Sequence, residues 1–194
     1  MKKLTRESLY SLEKYAERRK NFREDVINHK KNRQVKLGDN ATLYFEDNKT
    51  IQYQIQEMLR IEKIFEASGI QEELDTYNPL IPDGKNWKAT FMLEYPDIEQ
   101  RKIMLSKLIG IEDKIWIQVT GCEKVYAIAD EDLERDTEEK TSAVHFMRFE
   151  FSDEMISHAK EGSAIAIGVD HPEYSTCVDP LSVNTRNALV ADFD

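Results

Sequence analysis

The chain has 194 residues, 40% of them hydrophobic, enough to bury a core as one domain or as two small ones. Its 37 acidic and 27 basic side chains leave a formal net charge of -10, which argues against a nucleic-acid-binding domain as a whole. Two cysteines, Cys122 and Cys177, share no short spacing, which excludes a disulfide framework, CxxC chemistry, a zinc finger and a one-chain iron–sulfur cluster.

The N-terminus, MKKLTRESLY, has no apolar stretch behind its lysines, and no run approaches bilayer length, so a cytoplasmic protein is expected. Residues 1–36 carry 12 Lys/Arg against 5 Asp/Glu, a net of +7, which leaves -17 for the rest of the chain. Because these basic residues sit on amphipathic helices, packing over an acidic body is preferred to an arm that binds anions or nucleic acid.

In chain order, Thr5 is a candidate N-cap for a helix to about Arg18. A second helical stretch, or a continuation of the first, runs to about Arg33, with Phe22, Val26, His29 and Arg33 on one face. VKLGDNATLYF reads as a hairpin turning at Gly38, Asp39 and Asn40. A long central helix is expected from Thr50 to Ser68, with Gly69 as its left-handed stop. YNPLIPDGKNW must be loop.

Beyond it, Ala89, Phe91, Leu93 and Tyr95 alternate as a half-buried strand, and Asp97 with Gln100 forms a capping box for a helix ending before Gly110. Strands are expected at 114–120, 123–129 and 143–151. Ser152 caps a helix that stops at Gly162, AIAIGV is a further strand, and Asp179-Pro180 opens the last helix with proline at its first position. The expected fold is α+β: N-terminal helices with a long central helix, then a mainly antiparallel sheet with helices on one side. It forms one compact domain, 1–194, whose place of subdivision is the loop between a helical part, 1–77, and a sheet-rich part, 87–194.

Candidate chemistry begins on the central helix. With Ile51 at zero and about 100° per residue, Ile55, Met58, Leu59 and Phe65 fall within about 80° of it, while Glu62 and Glu66 fall at about 20° and 60°. A carboxylate on an apolar face needs compensation. His29 and Arg33 lie on the inward face of the preceding helix. Two readings follow: a structural network of Arg33, His29, Glu62 and Glu66, or an iron, manganese or zinc site built on Glu62, Glu66 and His29 with His171 as a further ligand. The Glu-x-x-His pattern of carboxylate-bridged diiron sites is absent.

His145 shares a strand face with Met147, Phe149 and Phe151 and reads as a hydrogen-bonded core histidine. In DHPEY, Asp170 is placed to orient His171 and Tyr174 to close over it. DEDLERDTEE sets seven carboxylates between Asp130 and Glu139 without EF-hand spacing; Asp132, Glu134 and Asp136 are its candidate docking residues. No GxGxxG or GxxxxGK[ST] supports a nucleotide cofactor.

At YQIQEMLRIEKIF, YNPLIPDGKNWKAT, VYAIADEDLER, EEKTSAVHFMRFEF and GVDHPEY, the chain resembles, nearly end to end, a family of bacterial proteins of unknown function. That family is often encoded beside rubrerythrin-like proteins and an iron–sulfur oxidoreductase. The resemblance implies no residue roles. It does imply a place in a redox or peroxide-defence system, as an accessory or interaction protein with such partners. The alternatives from the residues are a metal-dependent enzyme with a Glu/His site and a binder of anions or nucleic acid through the basic helices.

Overall fold

The computed structural model describes residues 2–133, 135–137 and 139–194. After a short 3-10 turn at Arg6–Ser8, α1 (Leu12–Lys30) is one continuous helix, the second of the two expected arrangements, and it starts later than Thr5 would place it. Ser11 caps it by accepting from the Lys14 amide, so Thr5 caps only the preceding turn. The expected hairpin follows as β1 (Gln34–Leu37) and β2 (Ala41–Phe45).

The central helix is two helices. α2 (Asn48–Glu62) stops at Lys63, which takes the left-handed conformation (φ 55°), and the Ile64 amide donates to the Leu59 carbonyl at 2.9 Å. α3 (Ala67–Tyr77) then turns back. Gly69 is therefore inside α3 and not a stop; a Cβ there would lie 2.7 Å from Ile64 Cγ2, so glycine lets Ile64 fold against the new helix. Ile51, Ile55, Leu59, Leu74 and Ile81 form the small core of this corner.

The remaining elements are β3 (Asn86–Leu93), α4 (Ile98–Lys107), β4 (Ile115–Val119), β5 (Lys124–Tyr126), β6 (Ile128–Ala129), β7 (Val144–Glu150), α5 (Asp153–Lys160), β8 (Ile165–His171), β9 (Tyr174–Val178) and α6 (Val183–Val190). Asp97 and Ser152 cap α4 and α5 as expected, although Asp97 does so by accepting from the Gln100 amide alone and not in a reciprocal capping box. The last helix starts late: Ser182 is its N-cap, and Pro180 lies ahead of it. β9 was not anticipated; Pro172 and Glu173 make a two-residue turn between the paired His171 and Tyr174.

The fold is α+β, but its strands form two antiparallel sheets instead of one, ordered β1-β2-β3-β7-β6 and β5-β4-β8-β9. Only Ala127 separates β5 from β6, so the chain steps there from one sheet to the other. At the far side, the Tyr174 hydroxyl donates to the Leu37 carbonyl at 2.5 Å and accepts from the Asn40 amide at 3.2 Å. The sheets enclose one core in which Leu43, Trp87, Phe91 and Phe149 face Ile115, Ile117, Ile165 and Ile167. Trp87 stacks on Phe193 at 5.0 Å and meets Phe151 at 4.7 Å; truncating such a residue to alanine costs about 3–5 kcal/mol. β1 and β2 complete the sheet that contains β3, so strands from residues 1–77 and 87–194 share this core.

Candidate metal centre

The quartet Glu62, Glu66, His29 and His171 does not converge. Glu62 and Glu66 are exposed: Glu62 is the last residue of α2, and Glu66 stands at the turn ahead of α3. His29 instead places Nε2 2.5 Å from Asp47 Oδ2. Arg33, 2% exposed, pairs with Asp192 and lies 3.3 Å from Asp47, while its remaining donors serve the Phe45, Glu46 and Ala188 carbonyls. Burial raises the Asp47 carboxyl, but Arg33, the Thr50 amide and His29 together outweigh it and hold it below the ordinary range. The expected network thus exists with other acids in it, clamping α1 and α2 to the C-terminal segment.

His171 is buried with both ring nitrogens occupied: Nε2 faces the Ile109 carbonyl at 3.2 Å and Nδ1 accepts from the Glu173 amide at 3.2 Å. Neither nitrogen is left for a metal. Asp170 does not orient it, since it faces Lys124 (2.7 Å) and the Tyr126 hydroxyl (3.1 Å). Tyr174 is the clasp between β9 and the first hairpin and does not close over the ring. Cys122 has a neighbour that the sequence did not suggest, His158 Nδ1 at 3.5 Å from its sulfur, but burial pushes its thiol up, away from a reactive thiolate.

Among the described residues, one group has three metal-ligand side chains together: Glu112, Asp136 and His145, whose ligand atoms all lie within 4.8 Å of one another. Each comes from a different element. Gly110, at φ 80°, turns the chain out of α4 into a short 3-10 turn (Ile111–Lys114), where buried Ile111 anchors Glu112. Strand alternation sends His145 inward and its neighbours Val144 and Phe146 outward, so the ring is fully buried.

Asp130 follows β6 at φ 51°, a conformation that aspartate tolerates better than most residues. Its side chain folds back: Oδ1 accepts from the Phe146 amide at 3.0 Å, and Oδ2 lies 2.6 Å from His145 Nδ1. Arg135 seals it from outside at 2.9 Å, binds Asp132 through two nitrogens, and lays its guanidinium over the Phe146 ring at 4.7 Å.

Thr141 stands at the focus. Its hydroxyl lies 2.9 Å from His145 Nε2, 3.1 Å from Asp136 Oδ1 and 3.3 Å from Glu112 Oε2, while its amide is fixed to the Leu105 carbonyl. His145 Nε2 also lies 3.1 Å from the Ser142 carbonyl and 3.8 Å from Glu112 Oε2. Burial, then the hydrogen bond and negative charge of Asp136, push the Glu112 carboxyl up to about 8. Without a cation, burial and the neighbouring Asp136 favour the protonated Glu112 carboxyl.

A hydroxyl, a histidine and an aspartate in series resemble a nucleophile–base–acid relay, but Thr141 is 1% exposed and faces two carboxylates where an oxyanion would need donors. Acyl transfer is therefore disfavoured.

Two of the expected docking residues also have partners within the chain. Asp132 is bound by Arg135, which also lowers its carboxyl, and Asp136 is half-buried against Thr141; Glu134 lies outside the described residues. Of the site, the sequence had pointed to His145 and, in another role, Asp136. Glu112, Asp130 and Thr141 had no assigned role, although Asp130, Thr141 and His145 fall inside the recognisable phrases VYAIADEDLER and EEKTSAVHFMRFEF. The usable signal was an inward-facing histidine beside an acid that closes the neighbouring strand.

A family model described as a protein of unknown function, DUF3501, matches residues 3–193. The crystal structure of a novel protein of unknown function from Burkholderia pseudomallei K96243 is similar over 100% of both chains, at 51% identity and a TM-score of 0.94. No curated protein matches. Among the described residues no helix is long and apolar enough to cross a membrane.

Proposed function

The chain belongs to this DUF3501 family of unknown function, so no inherited activity stands behind its site, and we propose that it binds a divalent transition metal through Glu112, Asp136 and His145. One observation carries the reading: three ligand side chains from separate elements converge on one point, and the spare nitrogen of the histidine is held by a carboxylate. A carboxylate that holds the second nitrogen of a histidine is the usual outer partner of a metal-bound imidazole, and Asp130 has that place. One imidazole with two carboxylates suits iron, manganese or zinc.

With bonds of about 2.0–2.2 Å, ligand atoms sit roughly 3–4 Å apart, and the Nε2–Glu112 separation of 3.8 Å falls within that range. Binding exchanges the hydrogen bonds that join the Thr141 hydroxyl to these three side chains for bonds to the ion. Three protein ligands leave coordination positions for water or a small substrate, the arrangement that metal-dependent catalysis needs.

The test is calorimetric titration of chelator-free, untagged protein with Mn²⁺, Fe²⁺ and Zn²⁺. Near-stoichiometric binding of one of them is expected, lost in His145→Ala and weakened about 10–100-fold in Asp130→Asn. Binding of none of the three metals, or binding unchanged in His145→Ala, refutes the reading.

A second reading is an accessory protein that docks on an iron–sulfur oxidoreductase or a rubrerythrin-like protein. Its support is the α2–α3 corner, where Ile61 and Phe65 are 61% and 72% exposed. Association through this apolar corner is expected to weaken in Phe65→Ser and to be indifferent to salt; salt-sensitive binding that ignores Phe65 rules the corner out.

A further inference from the structure

A cavity of about 480 Å³ lies between the helices and the outward face of the first sheet, on the side of β7 opposite His145. Its volume is within the range of small-molecule sites. Ile51 and Tyr77 line it from the helical side; Tyr44, Met92 and Phe146 line it from the sheet. Two charged residues share the wall: Glu46, between β2 and α2, and Lys30, the last residue of α1.

Glu46 is held in place without being neutralised. Its Oε1 accepts from the Thr90 hydroxyl at 2.9 Å and its Oε2 from the Thr50 hydroxyl at 2.5 Å. No Lys, Arg or His side chain among the described residues lies within ion-pairing distance of that carboxylate, and half-buried Lys30 likewise pairs with no acid. Two hydroxyl donors fix the orientation of a carboxylate but leave its charge uncompensated in an apolar-walled space, where an incoming cation gains most. The aromatic walls accept an apolar body or the face of a cation. Lys30 favours a second, anionic end.

We propose that this cavity binds a small zwitterion, an amino acid with an apolar or aromatic side chain. Its ammonium sits on Glu46, its carboxylate is drawn by Lys30, and its side chain lies among Tyr44, Met92 and Phe146. Opposite charges on one wall discriminate against molecules that carry only one of them, because either charge of the site is then desolvated without a partner. This inference does not depend on the metal centre, which faces the interior.

Titration of the full-length protein with L-phenylalanine, phenethylamine and phenylpropionate tests it. L-phenylalanine is expected to bind saturably at one per chain, phenethylamine more weakly and phenylpropionate most weakly. Glu46→Gln should cut L-phenylalanine affinity by about tenfold or more, the loss of one charge-assisted contact. Met92→Trp fills the cavity from the sheet side and leaves the Glu46 charge in place, and should abolish binding in a protein with an unchanged circular dichroism spectrum. The proposal is overturned if none of the three compounds saturates in the millimolar range. It is also overturned if phenylpropionate binds better than phenethylamine, or if Glu46→Gln binds like the wild type.

Discussion

Arg33 and Glu62 both fell on inward arcs of helical wheels, and they ended in opposite environments. Arg33 is 2% exposed with Asp192 against its guanidinium, whereas Glu62 is exposed on the last turn of α2. Removing one member of a buried ion pair strands the other, at a cost of about 3–5 kcal/mol. Arg33→Ala is accordingly expected to destabilise by that amount, and Asp192→Ala added to it should cost much less than it does alone, since the two share one interaction. Glu62→Ala should stay within about 0.5 kcal/mol of wild type. Denaturant melts of the four variants check this; an additive double mutant would show that the pair is not coupled. A wheel reports an angle about an axis. Whether a neighbour extends far enough to cover that angle is decided by the rest of the chain.

At the scale of elements, α1 shows how a helix with few apolar contacts is held. Tyr15 and Val26 are its only buried residues. Beside the Asp25–Lys49 ion pair and the Phe22–Tyr53 ring contact, α1 is tied to α2 by Glu57, which accepts from the Tyr15 hydroxyl at 2.6 Å and from two Arg19 nitrogens at 2.8 Å. Arg19 foremost, then the Tyr15 hydroxyl and Arg60, outweigh burial and hold the Glu57 carboxyl down at about 2. A carboxyl depressed in the folded state stabilises fully above its ordinary value of 4.5 and loses that contribution as pH falls from 4.5 towards 2. Glu57→Gln should therefore be less stable than wild type at pH 7, with the two converging near pH 2. Hydrogen exchange should report earlier opening of α1 in wild type along the same acid limb. A difference between the proteins that does not change across that range would remove Glu57 as the tie.

For the whole molecule, the proposed metal centre would be a cost that binding offsets. Two carboxylates and a histidine are gathered where the 3-10 turn, β6 and β7 meet, and a cation that binds only the folded chain stabilises it by mass action. The gain is about 2.7 kcal/mol at a free concentration one hundred times Kd. Wild-type protein is expected to melt higher with the metal that it binds. Glu112→Leu should melt at least as high as metal-free wild type and ignore the metal, because an apolar side chain relieves the crowded acids. A wild-type midpoint that moves with none of Mn²⁺, Fe²⁺ or Zn²⁺ would leave a proton-bridged structural network in its place.

Local signals determined much of the architecture. Alternation in KATFMLEY and VHFMRFEF, the caps at Asp97 and Ser152, and the Gly38 turn all read through to the structure, because each rests on contacts within a few residues. They also carried the α+β class and turned His145 inward. What tertiary structure alone decided is where separate elements meet. The break at Lys63 depends on α3 folding back over Leu59, and the division into two sheets depends on the step at Ala127. The convergence of Glu112, Asp130, Asp136 and Thr141 on His145 spans residues up to 33 positions apart. No periodicity encodes such a meeting, because it is set by the packing of whole elements and not by the geometry of any one of them.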